Sequence, residues 1–335
     1  MTDLVLDGFV AARAHVNIAL VKYWGKAPAK TRDELNLPAV PSLSLTLSGL
    51  YTDTRVRFAP DAREDRIVLD GKPLGAKQLA QAQPILDAVR ARAGIASRFA
   101  IESDNHVPTA AGLASSASGM AALAAATARC AGLEPTPADL SALARLGSGS
   151  ASRSIFGGWA AWDGPSARAV APPEHWDVAV VVAVVNAGPK PIGSRDAMTR
   201  TARTSPYYHG WVASARELFH EAEAAVLARD FDRLVAAMEL STLRMHAVAM
   251  AASPPILYWE PVSLAVLREV ERMRRDDGLA CGYTLDAGPN VKVFCRSADV
   301  TRVAERLTSI AGVDHTISSG PGQGVTVRVE AEETS

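Results

Sequence analysis

The sequence has few cysteines and little net charge, and both features limit the class of protein that it encodes. Its 335 residues include three cysteines, Cys130, Cys281 and Cys295. They are too few and too scattered for a disulfide framework, and they lack zinc-ligand spacing. A reduced cytoplasm is therefore the expected location. The net charge of −1 provides no global field that would attract nucleic acid, so we expect no nucleic-acid partner.

Long apolar runs are also missing. The longest, Val178–Val185, has eight residues, whereas a helix that spans a bilayer needs about 20. We interpret it as a buried strand and expect no membrane partner. The first ten residues carry Asp3 and Asp7 and lack a basic stretch, which is not typical of a signal peptide.

Apolar periodicity predicts a mixture of strands and helices. With 48% hydrophobic and 21% charged residues, the composition is that of a globular protein. Strands are predicted at 14–23, 43–50, 54–58, 99–103, 159–163, 177–185, 282–286, 291–295 and 324–329. Helices are predicted at 76–93, 115–130, 138–146, 208–229, 232–250, 261–277 and 300–311.

The order of these elements predicts an α+β fold with two lobes and a cleft between them. The strands at 159–163 and 177–185 are expected to pair. After residue 186 the composition changes to a loop followed by long helical patterns, so we predict an N-terminal lobe at 1–186 and a C-terminal lobe at 187–335.

A run of small residues at 108–119, PTAAGLASSASG, leads directly into a predicted helix. Small side chains let backbone N–H groups approach an anion, and the helix N-terminus adds its positive dipole end. Ser115, Ser116 and Ser118 offer hydroxyls for phosphate or magnesium. A capped, tightly packed helix start explains the same residues equally well. The run contains neither a Walker A nor a Rossmann pattern.

Two further segments carry isolated cations. Lys22 and Lys26 bracket two aromatic residues at a predicted strand end, and Arg153 is the one cation within the Gly/Ser-rich segment 147–154. Such cations are suited to phosphate or carboxylate groups. A solvated strand end and a helix C-cap are the alternative interpretations, and the spacing leaves them open.

Asp286 begins the sequence DAGPN between two apolar predicted strands. A carboxylate at the end of a buried strand is destabilising unless it is paired or functional. It either caps the Gly-Pro turn or takes part in chemistry.

Taken in order, these segments resemble the diphosphomevalonate decarboxylase family, within the superfamily that also contains galactokinase, homoserine kinase, mevalonate kinase and phosphomevalonate kinase. The resemblance covers residues 16–290 and rests on VNIALVKYWGK, LNLPAVPSLSLTL, PTAAGLASSASG, GSGSASRSIFGG, GSRDAMTRTARTS, MHAVAMAASPPILYW and DAGPN. It implies a two-lobed, small-molecule-kinase type of fold. Val40-Pro41 stands where members often have polar residues, in a loop expected to border the nucleotide, which leaves base and ribose contacts open.

The resemblance also implies an activity. ATP, with Mg²⁺, would phosphorylate the 3-hydroxyl of mevalonate 5-diphosphate, and loss of that phosphate with carbon dioxide would give isopentenyl diphosphate, ADP and phosphate. A phosphate is a good leaving group where a hydroxyl is a poor one, which explains a kinase-type loop in a decarboxylase. The partners would be the two substrates and a second copy of the chain in a homodimer.

Site residues follow from the same resemblance. Asp286 would be the acid-base residue, with Lys22 as its cationic neighbour, and Arg153 would hold the substrate carboxylate. A threonine is expected beside Asp286: Thr204 is assigned, with Thr201 as the open alternative. The diphosphate would be held by Tyr23, Lys26, Ser194, Arg195 and Met198. The nucleotide would be bound by Pro108, Ala111, Gly112, Leu113, Ala114, Ser115, Ser116 and Ser118, with Ser115 also near Mg²⁺.

Three other functions compete with this one. A relative acting on mevalonate 5-phosphate, or one that only phosphorylates mevalonate, would share the phosphate loop. A non-catalytic sensor of a phosphorylated ligand would not need the set of charged residues. The presence of Asp286, Lys22, Lys26 and Arg195 together favours the diphosphate decarboxylase.

Overall fold

A computed structural model describes residues 8–107, 115–185 and 192–330. The strands in these ranges are β1 (Phe9–Val21), β2 (Ser42–Ala59), β3 (Arg66–Leu69), β4 (Lys72–Pro73), β5 (Arg98–His106), β6 (Trp159–Trp162), β7 (Ala167–Ala171), β8 (Val178–Val185), β9 (Cys281–Leu285), β10 (Val291–Arg296), β11 (Val313–Ser319) and β12 (Thr326–Glu330). The helices are α1 (Ala76–Ala93), α2 (Ser115–Cys130), α3 (Pro137–Gly147), α4 (Ser194–Thr204), α5 (Tyr208–Ala228), α6 (Phe231–Met250), α7 (Pro261–Asp277) and α8 (Val300–Thr308). The predicted α+β class is confirmed.

Two sheets organise these elements. The first has the order β12-β1-β2-β5-β3-β4, with β6 paired to β2 and β7 paired to β6, and the second has the order β11-β8-β10-β9. The prediction that the strands at 159–163 and 177–185 pair is wrong, because β6 lies in the first sheet and β8 in the second. Both strands are buried throughout, so their composition favours a central position but does not specify a partner.

The chain changes sheet before residue 186. β8 belongs to the second sheet, and β12 returns near the C-terminus to pair antiparallel with β1. The predicted boundary at residue 186 therefore lies after β8, one strand later than the change from the first sheet to the second. Near the C-terminus, β12 of the predicted C-terminal lobe joins the sheet of the N-terminal lobe.

Three of the four apolar clusters among the described residues pack against the sheets. The first sheet packs against α1, α2 and α3 through residues such as Val56, Leu86 and Leu143. One face of β8 packs against β1, β2, α5 and α6. Its other face, with Val181, packs against α7 and α8. Burial on both faces explains why β8 is apolar at every position.

Helix α4 was not among the predicted helices. Its sequence is mostly polar, and three of its residues, Ala197, Met198 and Thr201, are buried. That is too short an apolar pattern to indicate a helix without its neighbours. Within the described residues, no helix is long and apolar enough to cross a membrane.

Candidate active site

A cleft opens where the end of β1 meets the turn between β9 and β10. Short segments from both sides of the molecule form its walls, so residues far apart in sequence face one another. Its lining includes Asn17, Lys22, Tyr23, Lys26, Asn36, Ser116, Ser148, Arg153, Ser194, Arg195, Asp196, Met198, Met245 and Asp286. Every candidate catalytic or substrate residue named from the sequence lines this cleft, except Thr204 and its alternative Thr201.

Asp286 lies at one wall of the cleft between two buried lysines. Lys22 Nζ is 2.7 Å from one carboxylate oxygen, and Lys292 Nζ is 3.2 Å from the other. Lys22 follows β1 directly and also donates to the carbonyl of Ala19 at 2.9 Å. The side chains of both lysines are 1% exposed, whereas that of Asp286 is 31% exposed. The carboxylate is thus held from behind and presented to the cleft.

Charge and burial set the protonation states of this group. Burial alone would raise the pKa of Asp286, but Lys22 and Lys292 outweigh it and hold that pKa far below its ordinary value. Burial lowers the pKa of Lys22 to about 8, with partial compensation from Asp286. The carboxylate is therefore ionised at neutral pH.

Lys292 was missed by the sequence analysis. It is the second residue of β10, and every residue of that strand before Arg296 is buried. An ammonium group in such a strand requires a partner, by the same reasoning that singled out Asp286. A single lysine within the apolar sequence VKVFC could have indicated this role.

His246 is a second residue that the sequence analysis did not single out. It lies on α6, is 1% exposed, and its ring centre is 5.2 Å from that of Trp259. Burial, followed by the charge of Lys22, lowers the pKa of His246 to about 3. A neutral imidazole therefore packs near the Asp286 group and adds no charge to it.

Arg153 forms the floor of the cleft. It lies in a 3-10 helix, Gly149–Ile155, and its side chain donates to Ser42 Oγ at 2.7 Å and to Asn17 Oδ1 at 3.3 Å. The guanidinium carbon is 5.8 Å from the ring centre of Trp162. Burial lowers the pKa of Arg153 to about 10, so the group stays charged at neutral pH. These contacts fix the plane of the guanidinium.

Tyr23, Lys26 and Arg195 line the end of the cleft that lies at the start of α4. The ring of Tyr23 is 4.7 Å from that of Trp162, and burial raises the pKa of its hydroxyl. Burial and, after it, the nearby charge of Arg195 lower the pKa of Lys26 to about 8. Ser194 and Met198, from the first turns of α4, complete this end.

A second cavity adjoins the cleft at the N-terminus of α2. Ser116 and Gln81 line both spaces. The second cavity is further lined by Thr52, Ile67, Leu69, Leu74, Gln78, Ala82, Ser103, Asn105, Ser115, Gly119, Met120 and Leu123. An apolar pocket that ends at serine hydroxyls and a helix N-terminus has the character of a nucleotide site.

The predicted phosphate loop is only partly described. Pro108, Ala111, Gly112, Leu113 and Ala114 lie outside the described residues.

Ser118 is fully buried in the described helix α2, with its Oγ 2.8 Å from Thr52 Oγ1 and 3.2 Å from the carbonyl of Ser115. The prediction that Ser118 contacts the nucleotide does not match this position, since its hydroxyl bonds within the fold.

The predicted threonine beside Asp286 also needs correction. Thr204 is exposed near the end of α4, where its hydroxyl donates to the carbonyl of Arg200 at 2.8 Å and accepts from the N–H of Ser253 at 2.9 Å. It borders a different surface depression. Thr201 is buried and donates to the carbonyl of Ala197 at 2.8 Å. The hydroxyls of both threonines thus bond to the helix backbone, which a sequence motif does not reveal.

The loop that contains Val40 packs beside the cleft. Val40 is 1% exposed and belongs to an apolar cluster with Trp24, Met198 and Trp211. It packs with Trp24 and Met198, which line the cleft, and it is not among the residues that line the second cavity.

The described residues offer few side chains that could hold the magnesium ion expected with ATP. Among the residues that the structure describes, no group of three or more His, Cys, Asp or Glu side chains is placed to bind a metal ion. Mg²⁺ commonly keeps several waters and binds through nucleotide phosphates with few protein ligands. The hydroxyls of Ser115 and Ser116 at the start of α2 fit an ion that arrives with a nucleotide.

The fold and the cleft together define a two-lobed enzyme built to receive anionic substrates, and comparison with known families agrees. The family model for the diphosphomevalonate decarboxylase-like N-terminal domain matches residues 14–169, and that for the mevalonate 5-diphosphate decarboxylase C-terminal domain matches residues 180–333. The chain belongs to the diphosphomevalonate decarboxylase family.

Individual relatives give the same result. The diphosphomevalonate decarboxylase of Ganoderma lucidum is 37% identical over 325 residues, covering 88% of this chain and 80% of the relative. The human enzyme is 37% identical over 314 residues, covering 85% and 76%.

Solved structures are similar over nearly the whole chain. Mevalonate diphosphate decarboxylase from Staphylococcus aureus is 39% identical with a TM-score of 0.89, covering 96% of this chain and 98% of that one. A structure of a complex with MVAPP, AMPPCP and magnesium is 40% identical with a TM-score of 0.89, covering 96% and 99%.

Proposed function

We propose that the protein catalyses the ATP-dependent decarboxylation of mevalonate 5-diphosphate. The observation that carries this proposal is an ionised Asp286 held between Lys22 and Lys292 in a cleft that also contains Arg153. The reaction transfers the γ-phosphate of ATP to the 3-hydroxyl. Cleavage of the bond between C3 and that phosphate, with loss of carbon dioxide from the neighbouring carboxylate, then yields isopentenyl diphosphate, ADP and phosphate.

Asp286 is assigned to the 3-hydroxyl. Its strongly depressed pKa makes it a weak base towards a free hydroxyl, so its first role is to orient that group by accepting a hydrogen bond. Phosphoryl transfer has a loose transition state, and the attacking hydroxyl becomes acidic as its oxygen bonds to phosphorus. The proton can then pass to Asp286 late in the step. Lys22 stabilises the negative charge that develops on the transferred group.

Arg153 is assigned to the substrate carboxylate. Its contacts with Ser42 and Asn17 use Nη1 and Nε, so the Nη2 edge is free of these two bonds and the group lines the cleft. A fixed guanidinium holds a carboxylate in one plane. It thereby aligns the carboxylate so that the electrons of the breaking C–C bond can displace the phosphate.

The diphosphate is assigned to the other end of the cleft, to Tyr23, Lys26, Ser194, Arg195 and Met198. Lys26 and Arg195 provide the charge. Burial and, after it, repulsion from Arg195 lower the pKa of Lys26 in the absence of an anion. The nucleotide is assigned to the second cavity, with its phosphates towards Ser115 and Ser116. Magnesium bound there would neutralise the phosphate charges.

A substrate panel tests the proposal. The purified protein is incubated with ATP and magnesium together with mevalonate, its 5-phosphate or its 5-diphosphate, and carbon dioxide and phosphate are measured. Release of carbon dioxide should be fastest with the 5-diphosphate. A preference for the 5-phosphate would assign the phosphomevalonate enzyme instead, and ADP formation from mevalonate without carbon dioxide would assign a 3-kinase.

The location and assembly of the protein are part of the same proposal. Cys130, Cys281 and Cys295 are free and buried, which suits a reducing cytoplasm. A homodimer is supported by α6, which presents Leu240, Leu243 and Met250 as partly exposed apolar side chains at heptad-like spacing. Sedimentation should give twice the monomer mass, and Leu243→Glu should reduce it.

A further inference from the structure

Asn36 has an unusual backbone for a buried residue. It lies on the segment between β1 and β2, is 7% exposed, and has a φ of 61°, in the left-handed region. Residues other than glycine enter that region at a free-energy cost, although Asn tolerates it better than most. The side chain of Asn36 must therefore contribute contacts that a glycine would not.

The amide of Asn36 is used at both ends. Nδ2 donates to the carbonyls of Arg145 at 2.9 Å and Leu146 at 3.0 Å, which are in the last turn of α3. Carbonyls in that turn have no partner within the helix. Oδ1 accepts from Lys26 Nζ at 2.7 Å. Because only Nδ2 can donate to carbonyls, the amide has one possible orientation, with its oxygen towards Lys26.

The segment around Asn36 is itself held by Arg145. That guanidinium donates to the carbonyls of Leu35, of Asp33 at 2.6 Å and of Pro165 at 2.8 Å. The residues on the N-terminal side of Asn36 are thus tied to the same helix end as its amide. The position of Oδ1 is consequently held from the end of α3.

The end of α3 also contacts the other cation of the diphosphate end. Arg195 Nη2 donates to the carbonyl of Gly147 at 3.1 Å. The partially negative C-terminus of α3 therefore lies between Lys26, reached through Asn36, and Arg195, reached directly. Since the partner of Lys26 is a neutral amide, its ammonium keeps its charge available to an anion in the cleft.

We propose that Asn36 is a positioning residue that holds the ammonium group of Lys26 at the diphosphate end of the cleft. The identity of the anion rests on the proposed function; the positioning of Lys26 does not. A side chain with the size of Asn but a negative charge would pair with Lys26 and oppose the α3 carbonyls. A glycine would keep the backbone conformation and lose both contacts.

Steady-state kinetics of Asn36→Gly and Asn36→Asp test this role, with Arg32→Ala as the matched control. Arg32 is a cation in the same segment whose side chain is 86% exposed. Both Asn36 variants should raise the KM for the diphosphate by about 10-fold, the loss expected for one hydrogen bond to a charged group, and change the KM for ATP by less than about twofold. Arg32→Ala should leave both constants unchanged. Equal increases in both constants would overturn the proposal.

A double-mutant cycle separates positioning from a structural role. If Asn36 acts through Lys26, Asn36→Gly should have little further effect in a Lys26→Met background, within about twofold in KM for the diphosphate. Full additivity would overturn the proposal. If Asn36→Gly does not fold, as judged by its melting curve, the cycle is completed with Asn36→Asp. A wild-type protein that turned over another substrate would refute the proposed function, and the cycle would then be measured with that substrate.

Discussion

Replacing Lys292 with methionine tests whether the second lysine controls the charge of Asp286. Methionine has a similar length and suits the buried strand β10. At the 3.2 Å between Lys292 Nζ and the Asp286 oxygen, two unit charges attract by about 5 kcal/mol at an effective dielectric constant of about 20. This is an upper bound, since water reaches the Asp286 side chain. In the variant, Asp286 still has Lys22 as a cationic partner.

The expected result is a change in pH dependence. Lys292 lowers the pKa of Asp286, so its removal raises that pKa, and the ionised carboxylate is then lost at a higher pH as the solution is acidified. Even one pKa unit corresponds to about 1.4 kcal/mol, or 10-fold in the ionisation equilibrium. Arg153 and Lys22 also act on Asp286, and the nearby His246 is neutral throughout, so the acid limb reports Asp286.

The assay is kcat/KM for the diphosphate from about pH 7, below the pKa of about 8 of Lys22, down to the lowest pH at which melting curves show both proteins folded. The ratio of variant to wild-type kcat/KM should fall as the pH falls. Lys72→Met, which removes an exposed lysine from β4, serves as the control and should give a constant ratio. A constant ratio for Lys292→Met would refute the reasoning, and it would reduce Lys292 to a structural residue.

Three other substitutions address the remaining parts of the site. Arg153→Ala should reduce kcat/KM for the diphosphate by roughly 10–150-fold, the value of a charged hydrogen bond of about 1.5–3 kcal/mol, with little change in ATP affinity measured by calorimetry; wild-type turnover would contradict its assignment. Arg195→Gln should raise the KM for the diphosphate more than that for ATP, and equal effects would place Arg195 outside the diphosphate end. Asp286→Asn should lower turnover by at least about 10²–10⁴-fold at temperatures where melting curves show it folded, while a fully active variant would remove Asp286 from the mechanism.

Much of the fold was predictable because most elements carry their own periodicity. β9 and β10 and the turn with Asp286 were found where the two apolar segments and the Gly-Pro pair placed them. The partner of β8 was not predictable. A strand buried on both faces has no polar side to indicate its layer, so its neighbours depend on contacts distant in sequence.

The site was predictable where the residues are adjacent to a strand end or a small-residue loop. Lys22, Arg153 and Asp286 were singled out in this way, and all three line one cleft. Thr204 was wrongly predicted to lie beside Asp286. It faces outwards from α4, and because that helix is mostly polar, its sequence does not indicate which side faces the protein. Asn36 was missed because its role depends on a left-handed backbone and on the end of α3, more than a hundred residues further along the chain.

The stoichiometry of a single reaction tests the central claim most directly. With mevalonate 5-diphosphate, ATP and magnesium, ADP, phosphate and carbon dioxide are quantified together from the same time course. Phosphorylation of the 3-hydroxyl followed by loss of that phosphate predicts one ADP and one phosphate for each carbon dioxide. Formation of ADP without carbon dioxide and without free phosphate would contradict the account, since the protein would then transfer phosphate and stop.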